Sequence, residues 1–119
     1  MSDNALPREA RILTSGEYDK AFKKCIRAGA PGLVVIGHKN SGQKSARLGI
    51  IVPKKILKRA VWRNRVKRIT RETFRLNRAS LPNADLVVIA KGGIGEMSNA
   101  ELRQNLMRLW DQISRRLPA

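Results

Sequence analysis

The chain has 119 residues, with 25 Lys or Arg against nine Asp or Glu, a formal net charge of +16. That length suits one domain with a real core and excludes a catalytic domain joined to a separate binding domain. The charge exceeds what solubility needs and opposes compaction, so a polyanionic partner is expected, while no apolar run approaches the roughly 20 residues of a membrane-spanning helix.

In chain order, residues 1–13 read as an extended N-terminal segment of the single domain 1–119. The stretch Met1 to Arg11 carries acids and a proline where an export signal would be apolar, so the cytoplasm is the expected compartment. Thr14-Ser15-Gly16-Glu17 fits a capping box, and a helix is predicted to follow to about Ala28, with Tyr18, Ala21, Phe22, Cys25 and Ile26 on one stripe. Gly29-Ala30-Pro31-Gly32 ends it. As the sole cysteine, Cys25 has no intramolecular disulfide partner and reads as a helix residue; His38, the sole histidine, reads as a solvated strand-end residue. Together they are too few for a structural zinc site.

Leu33 to Lys39 and Arg47 to Val52 are apolar, β-branched runs separated by Asn40-Ser41-Gly42-Gln43, and read as a hairpin. Asp85 to Ala90 is nearly continuous in apolar residues, as an interior strand would be. The predicted helix Ala60 to Ala79 lies between the second and third strands and makes a strand-helix-strand unit. Gly92-Gly93-Ile94-Gly95 lacks the Gly-Lys-Ser/Thr ending of a phosphate loop and the spacing of a dinucleotide fingerprint. Ser98-Asn99-Ala100-Glu101 is a second capping box, after which Leu102, Leu106, Leu109, Trp110, Ile113 and Leu117 form an apolar helical stripe. The fold class expected is an α/β two-layer sandwich: a small mixed sheet with about three helices.

The chemistry concentrates between Lys54 and Arg78, where eleven Lys or Arg meet one acid, Glu72. On a helical wheel Trp62, Val66, Ile69, Thr73 and Leu76 gather on one side. Arg63, Asn64, Lys67, Arg68, Arg71, Arg75 and Arg78 gather on the other. A charged face that supports itself needs acids three or four residues from its bases, and these bases have almost none, so (i, i+4) neighbours repel by about 0.2–0.5 kcal/mol each. Phosphates held by Arg forks and Lys point charges would offset that repulsion, which points to nucleic acid. Charge alone does not separate RNA from DNA, since phosphate contacts carry no sequence information.

The ordered residues carry a resemblance. Arg63-Asn64-Arg65, then Val66-Lys67-Arg68-Ile69 and Arg71-Glu72-Thr73-Phe74-Arg75, resembles the signature of the bacterial ribonuclease P protein subunit. The strand Leu48-Gly49-Ile50-Ile51-Val52-Pro53 before Lys54-Lys55, the early aromatics Tyr18 and Phe22, the strand Asp85 to Ala90 and the closing helix extend it over nearly the whole chain. It implies RNA as the polymer, with a large RNA subunit cleaving precursor tRNA using Mg2+ and the protein gripping the 5′ leader and steadying the catalytic RNA. The crossover carrying the Arg-Asn-Arg helix would be left-handed, against the general right-handed rule.

By that likeness Arg63, Asn64, Arg65, Lys67, Arg68 and Arg71 would contact the RNA subunit, supplemented by Lys54 and Lys55 and by Arg8 and Arg11. Arg65 lies toward the apolar flank of the wheel, so bracing the helix is its alternative role. Tyr18 and Phe22 would line the leader groove, either stacking on unpaired bases or packing as core. Where the family often has aromatics in its first strand this chain has Leu33 and Ile36, so Ile36 enters the groove through a leader held mainly by its backbone. With nine scattered acids, one His and one Cys, no protein-borne catalytic residue, metal site or small-molecule cofactor is expected. The rival readings are a ribosome-associated RNA protein without a part in cleavage and, less compatible with this composition, a stand-alone protein nuclease.

Overall fold

The computed structural model describes residues 25–39 and 46–117. Among them the elements are β1 (Ile26–Ala30), β2 (Leu33–Lys39), β3 (Arg47–Ile51), helix α1 (Ala60–Asn77), β4 (Ala84–Ala90) and helix α2 (Asn99–Arg116). Short 3-10 turns, Arg78–Ser80 and Ile94–Glu96, follow α1 and precede α2. The mixed α/β class is as expected, with two α-helices in the described part. The capping box at Thr14, the aromatics Tyr18 and Phe22, Arg8, Arg11 and the turn Asn40 to Gln43 lie outside the described residues.

The four strands lie in the order β1-β2-β4-β3. β1 is antiparallel to β2 and β2 to β4, whereas β3 runs parallel to β4. Two expectations are corrected here. The helix predicted to run to about Ala28 cannot extend that far, because Ile26 to Ala30 pairs with β2 across the tight turn Pro31-Gly32, where Gly32 has φ +76°. Proline before a positive-φ glycine is the type II arrangement, and a Cβ on Gly32 would also press on Ile94. Cys25 therefore precedes a strand and is half-buried outside any helix. The second correction is that β2 and β3 form no hairpin: β4 lies between them and supplies both of their ladders.

Strand alternation puts Leu33, Val35, Leu48, Leu86, Val88 and Ala90 on one face, where α1 and α2 cover them in a continuous core. Helix α2 crosses directly over β2, since a Cβ on Gly37 would lie 3.0 Å from both Ile113 Cγ1 and Leu117 Cδ1. The stripe Leu102, Leu106, Leu109, Trp110, Ile113 and Leu117 is buried as its spacing predicts. At its start Ser98 Oγ accepts from the Glu101 amide at 3.1 Å, and the Glu101 carboxylate accepts from the Ser98 amide at 3.0 Å.

The two helices meet where Phe74 and Trp110 pack edge to face, ring centroids 5.7 Å apart. Trp110 Nε1 donates to Thr73 Oγ1 at 3.2 Å, while Thr73 Oγ1 donates to the Thr70 carbonyl and Thr70 Oγ1 to the Val66 carbonyl. These bonds satisfy the polar atoms that the core encloses. The buried stripe of α1 is Val66, Ile69, Thr70, Thr73 and Phe74, rotated from the sequence reading. Trp62 and Leu76, expected to anchor the helix, are 47% and 67% exposed, near its two ends and outside that stripe.

Candidate RNA interface

The basic segment begins as a turn. The amides of Ile56 and Leu57 both donate to the Pro53 carbonyl, which leaves Lys54 and Lys55 exposed at its tip. Arg59 then takes the extended N-cap conformation of α1 with no side-chain cap, and the first helical turn contains no acid. An uncapped helix start with unneutralised N–H groups favours anionic ligands.

Arg63 is turned back onto this entrance: its Nη1 donates to the carbonyls of Leu57 and Lys58, both at 2.8 Å. Arg65 points to the other side, donating from Nη1 to Asn99 Oδ1 at 2.9 Å and from Nη2 to the Met97 carbonyl at 3.0 Å. Of the Arg-Asn-Arg triplet, the two arginines thus tie α1 to its flanking loops, while Asn64 is exposed between them.

Farther along, Arg68 and Arg75 are exposed and Lys67 and Arg71 half-buried. Among the described residues none of these four makes an ion pair. Glu72, the one acid of the segment, is engaged by Arg103 of α2, whose Nε donates to Oε1 at 3.2 Å. Arg78, past the helix end, donates from Nε to the Ala46 carbonyl at 3.3 Å. Lys67, Arg68, Arg71 and Arg75 thus form a row of cations that meets no acid among the described residues.

Sequence reasoning missed Arg59 and the outward aspect of Trp62. Val61, which breaks the apolar period next to Trp62, was the available signal. Val61, Trp62, Asn64, Arg65 and Arg68 line an open cleft of ≈ 430 Å³ at the first turns of α1.

The opposite sheet face presents Val34, Ile36, His38, Arg47, Ile51, Asp85, Val87 and Ile89 by alternation. Ile36 is only 5% exposed and Val87 fully buried, while Val34, Ile51 and Ile89 are half-buried. Arg47 grips Asp85 there with a two-bond fork, Nε to Oδ1 at 2.8 Å and Nη2 to Oδ2 at 2.7 Å. His38 is half-buried at the register position opposite Asp85. Among the described residues no three His, Cys, Asp or Glu side chains stand together as a metal site, and no helix is long and apolar enough to cross a membrane.

Comparison with known proteins gives the family and the fold. A family model described as Ribonuclease P matches residues 6–114. The chain is 48% identical over 115 residues to the ribonuclease P protein component of Vibrio cholerae, covering 97% of each chain. It is 44% identical over 114 residues to that of Pectobacterium atrosepticum, covering 96% of this chain and 95% of the other. Among solved structures, the Staphylococcus aureus RNase P protein superposes with a TM-score of 0.82 at 27% identity, over 88% of this chain and 97% of that one. The Thermotoga maritima RNase P protein does so with a TM-score of 0.76 at 31% identity, over 87% and 96%.

Proposed function

Since the chain belongs to the ribonuclease P protein family, we propose that it acts as the non-catalytic subunit of that ribonucleoprotein, holding the RNA subunit on the outer face of α1 and the 5′ leader of precursor tRNA on a neighbouring surface. The RNA subunit then carries the cleavage, together with the Mg2+ it requires, and the product is the mature tRNA 5′ end. The observation that carries this reading is the row Lys67, Arg68, Arg71 and Arg75, four cations on one helix with no ion pair among the described residues. Phosphates along an RNA backbone would neutralise such a row and release counterions as they do so.

The residues divide the work. Arg68 and Asn64 are exposed and reach outward, the amide able both to donate and to accept. Arg63 and Arg65 act chiefly by fixing the pitch and position of α1, and offer RNA only the N–H groups their internal bonds leave over. Lys54 and Lys55 extend the positive surface past the helix start. For the leader, Tyr18, Phe22 and Ile36 are the assigned groove; Ile36 has little exposed side chain, so contact there would run through the backbone and the half-buried neighbours Val34 and Ile89.

The test is reconstitution of the full chain with a bacterial ribonuclease P RNA and precursor tRNA at low Mg2+. Leader removal is expected to rise over RNA alone, and its absence would overturn the reading. Arg68→Ala should lower the slope of log affinity against log salt by roughly one unit or slightly less, as for one lost phosphate contact. An unchanged slope would place Arg68 away from the RNA.

A further inference from the structure

Among the described residues, Trp62 is the largest side chain left substantially exposed. It sits in the first turn of α1, 47% exposed, beside Val61, which is 64% exposed. Isolated exposed apolar residues are ordinary, but an exposed tryptophan against a valine within a strongly basic segment is a surface that water does not favour. The other tryptophan, Trp110, is buried with its N–H satisfied by Thr73, so Trp62 has no comparable packing role.

The surroundings of the ring are ordered for a particular kind of ligand. The Arg59 guanidinium lies over it, 5.3 Å from the centroid, within cation–π range. Arg59 takes no part in lining the cleft, whose wall is made by Trp62 with Val61, Asn64, Arg65 and Arg68. Arg65 is held in place by its bonds to Asn99 and Met97, which makes that wall rigid. Arg68 makes no ion pair among the described residues, and Asn64 supplies a donor and an acceptor at the rim.

We propose that Trp62 is a stacking platform for one unpaired nucleotide of the RNA that α1 binds, with Arg68 taking its phosphate and Asn64 meeting an edge of its base. The inference rests on the proposed RNA-binding function and adds to it a non-electrostatic contact at one nucleotide. A nucleotide fits because it offers what the cleft combines, a π-face for the indole and a negative charge for the arginines. An apolar protein segment would cover the ring but would strip water from Arg65 and Arg68 without replacing it, at several kcal/mol per uncompensated charge.

The experiment measures binding of the full chain and its variants to a bacterial ribonuclease P RNA transcript over a range of salt. Base–aromatic stacking contributes about 1–3 kcal/mol per base, so Trp62→Ala should weaken binding by about 5- to 150-fold. Stacking releases no counterions, so the slope against log salt should stay as in the native chain. Trp62→Phe should keep most of the affinity and Trp62→Leu should not, because the requirement is for a π-face. Since Trp62 lies outside the core, thermal melts should confirm that all three variants fold.

Affinity of Trp62→Ala within twofold of native would overturn the platform. So would equal affinities of the Phe and Leu variants, or a changed salt slope. Sedimentation of the free chain tests the other occupant: self-association abolished by Trp62→Ala, with RNA affinity intact, would assign the ring to a second copy. Failure of the native chain to bind the RNA would defeat the functional reading itself, an outcome distinct from native binding with an indifferent Trp62.

Discussion

Arg65 in the second turn of α1 donates to Asn99 Oδ1 at the first residue of α2, a bond of 2.9 Å joining the starts of two helices 34 positions apart. A second donation, to the Met97 carbonyl, fixes the loop before α2 as well. Hydrogen bonds to charged donors contribute about 1.5–3 kcal/mol each when well formed, less where water competes. Arg65→Ala is therefore expected to cost about 1–3 kcal/mol, lowering Tm by about 4 °C per kcal/mol. Arg65→Lys should recover little, since one ammonium cannot span both acceptors as a planar fork does. A melt identical to that of the native chain would show that the bridge contributes nothing.

The fork between Arg47 and Asp85 lies at directly paired positions of β3 and β4, with side chains 13% and 5% exposed. Breaking so enclosed a two-bond fork costs about 3–5 kcal/mol. Asp85→Ala is expected to unfold at markedly lower denaturant, whereas Arg47→Met combined with Asp85→Leu should restore most of the loss. Equal stability of the single and double variants would mean the two residues are not coupled.

The Ser98 cap gives a pH prediction. The donated backbone N–H of Ser98, then its hydroxyl, hold the Glu101 carboxyl below its ordinary 4.5. A carboxyl depressed on folding adds stability that is fully present above the unfolded value and disappears as pH falls through the lower folded value. Native protein should therefore lose more stability between pH 5 and pH 3 than Glu101→Gln, compared by thermal melts, and parallel curves would count against the cap. Ser98→Ala should cost about 1 kcal/mol at neutral pH.

Legibility in the sequence followed locality. The capping box at Ser98, the α2 stripe and the interior strand β4 were readable because each is written in consecutive residues. β1 was not, because Cys25 and Ile26 continue a helical spacing and Ala28, Gly29 and Ala30 have weak strand preference; only the ladder to β2 makes Ile26–Ala30 a strand. The hairpin misreading has the same origin: turn chemistry at Asn40 to Gln43 says that the chain bends, but not that β4 will enter the gap. In the basic segment, density and spacing identified the charged face, whereas the inward bonds of Arg63 and Arg65 depend on carbonyls and an amide contributed by neighbouring loops. Trp62 followed the period of the core yet lies past its edge, which no wheel can reveal.

The place of β4 between β2 and β3 also governs when this molecule can exist. A growing chain that has reached Arg78 already carries its densest positive charge, while its sheet is still two separate parts, a β1-β2 ribbon and a lone β3. Only when Ala84 to Ala90 emerges can one strand join the two parts, so the sheet closes after the whole basic segment has been made. Until then the basic segment is exposed to every polyanion in the cell without the framework that gives it selectivity.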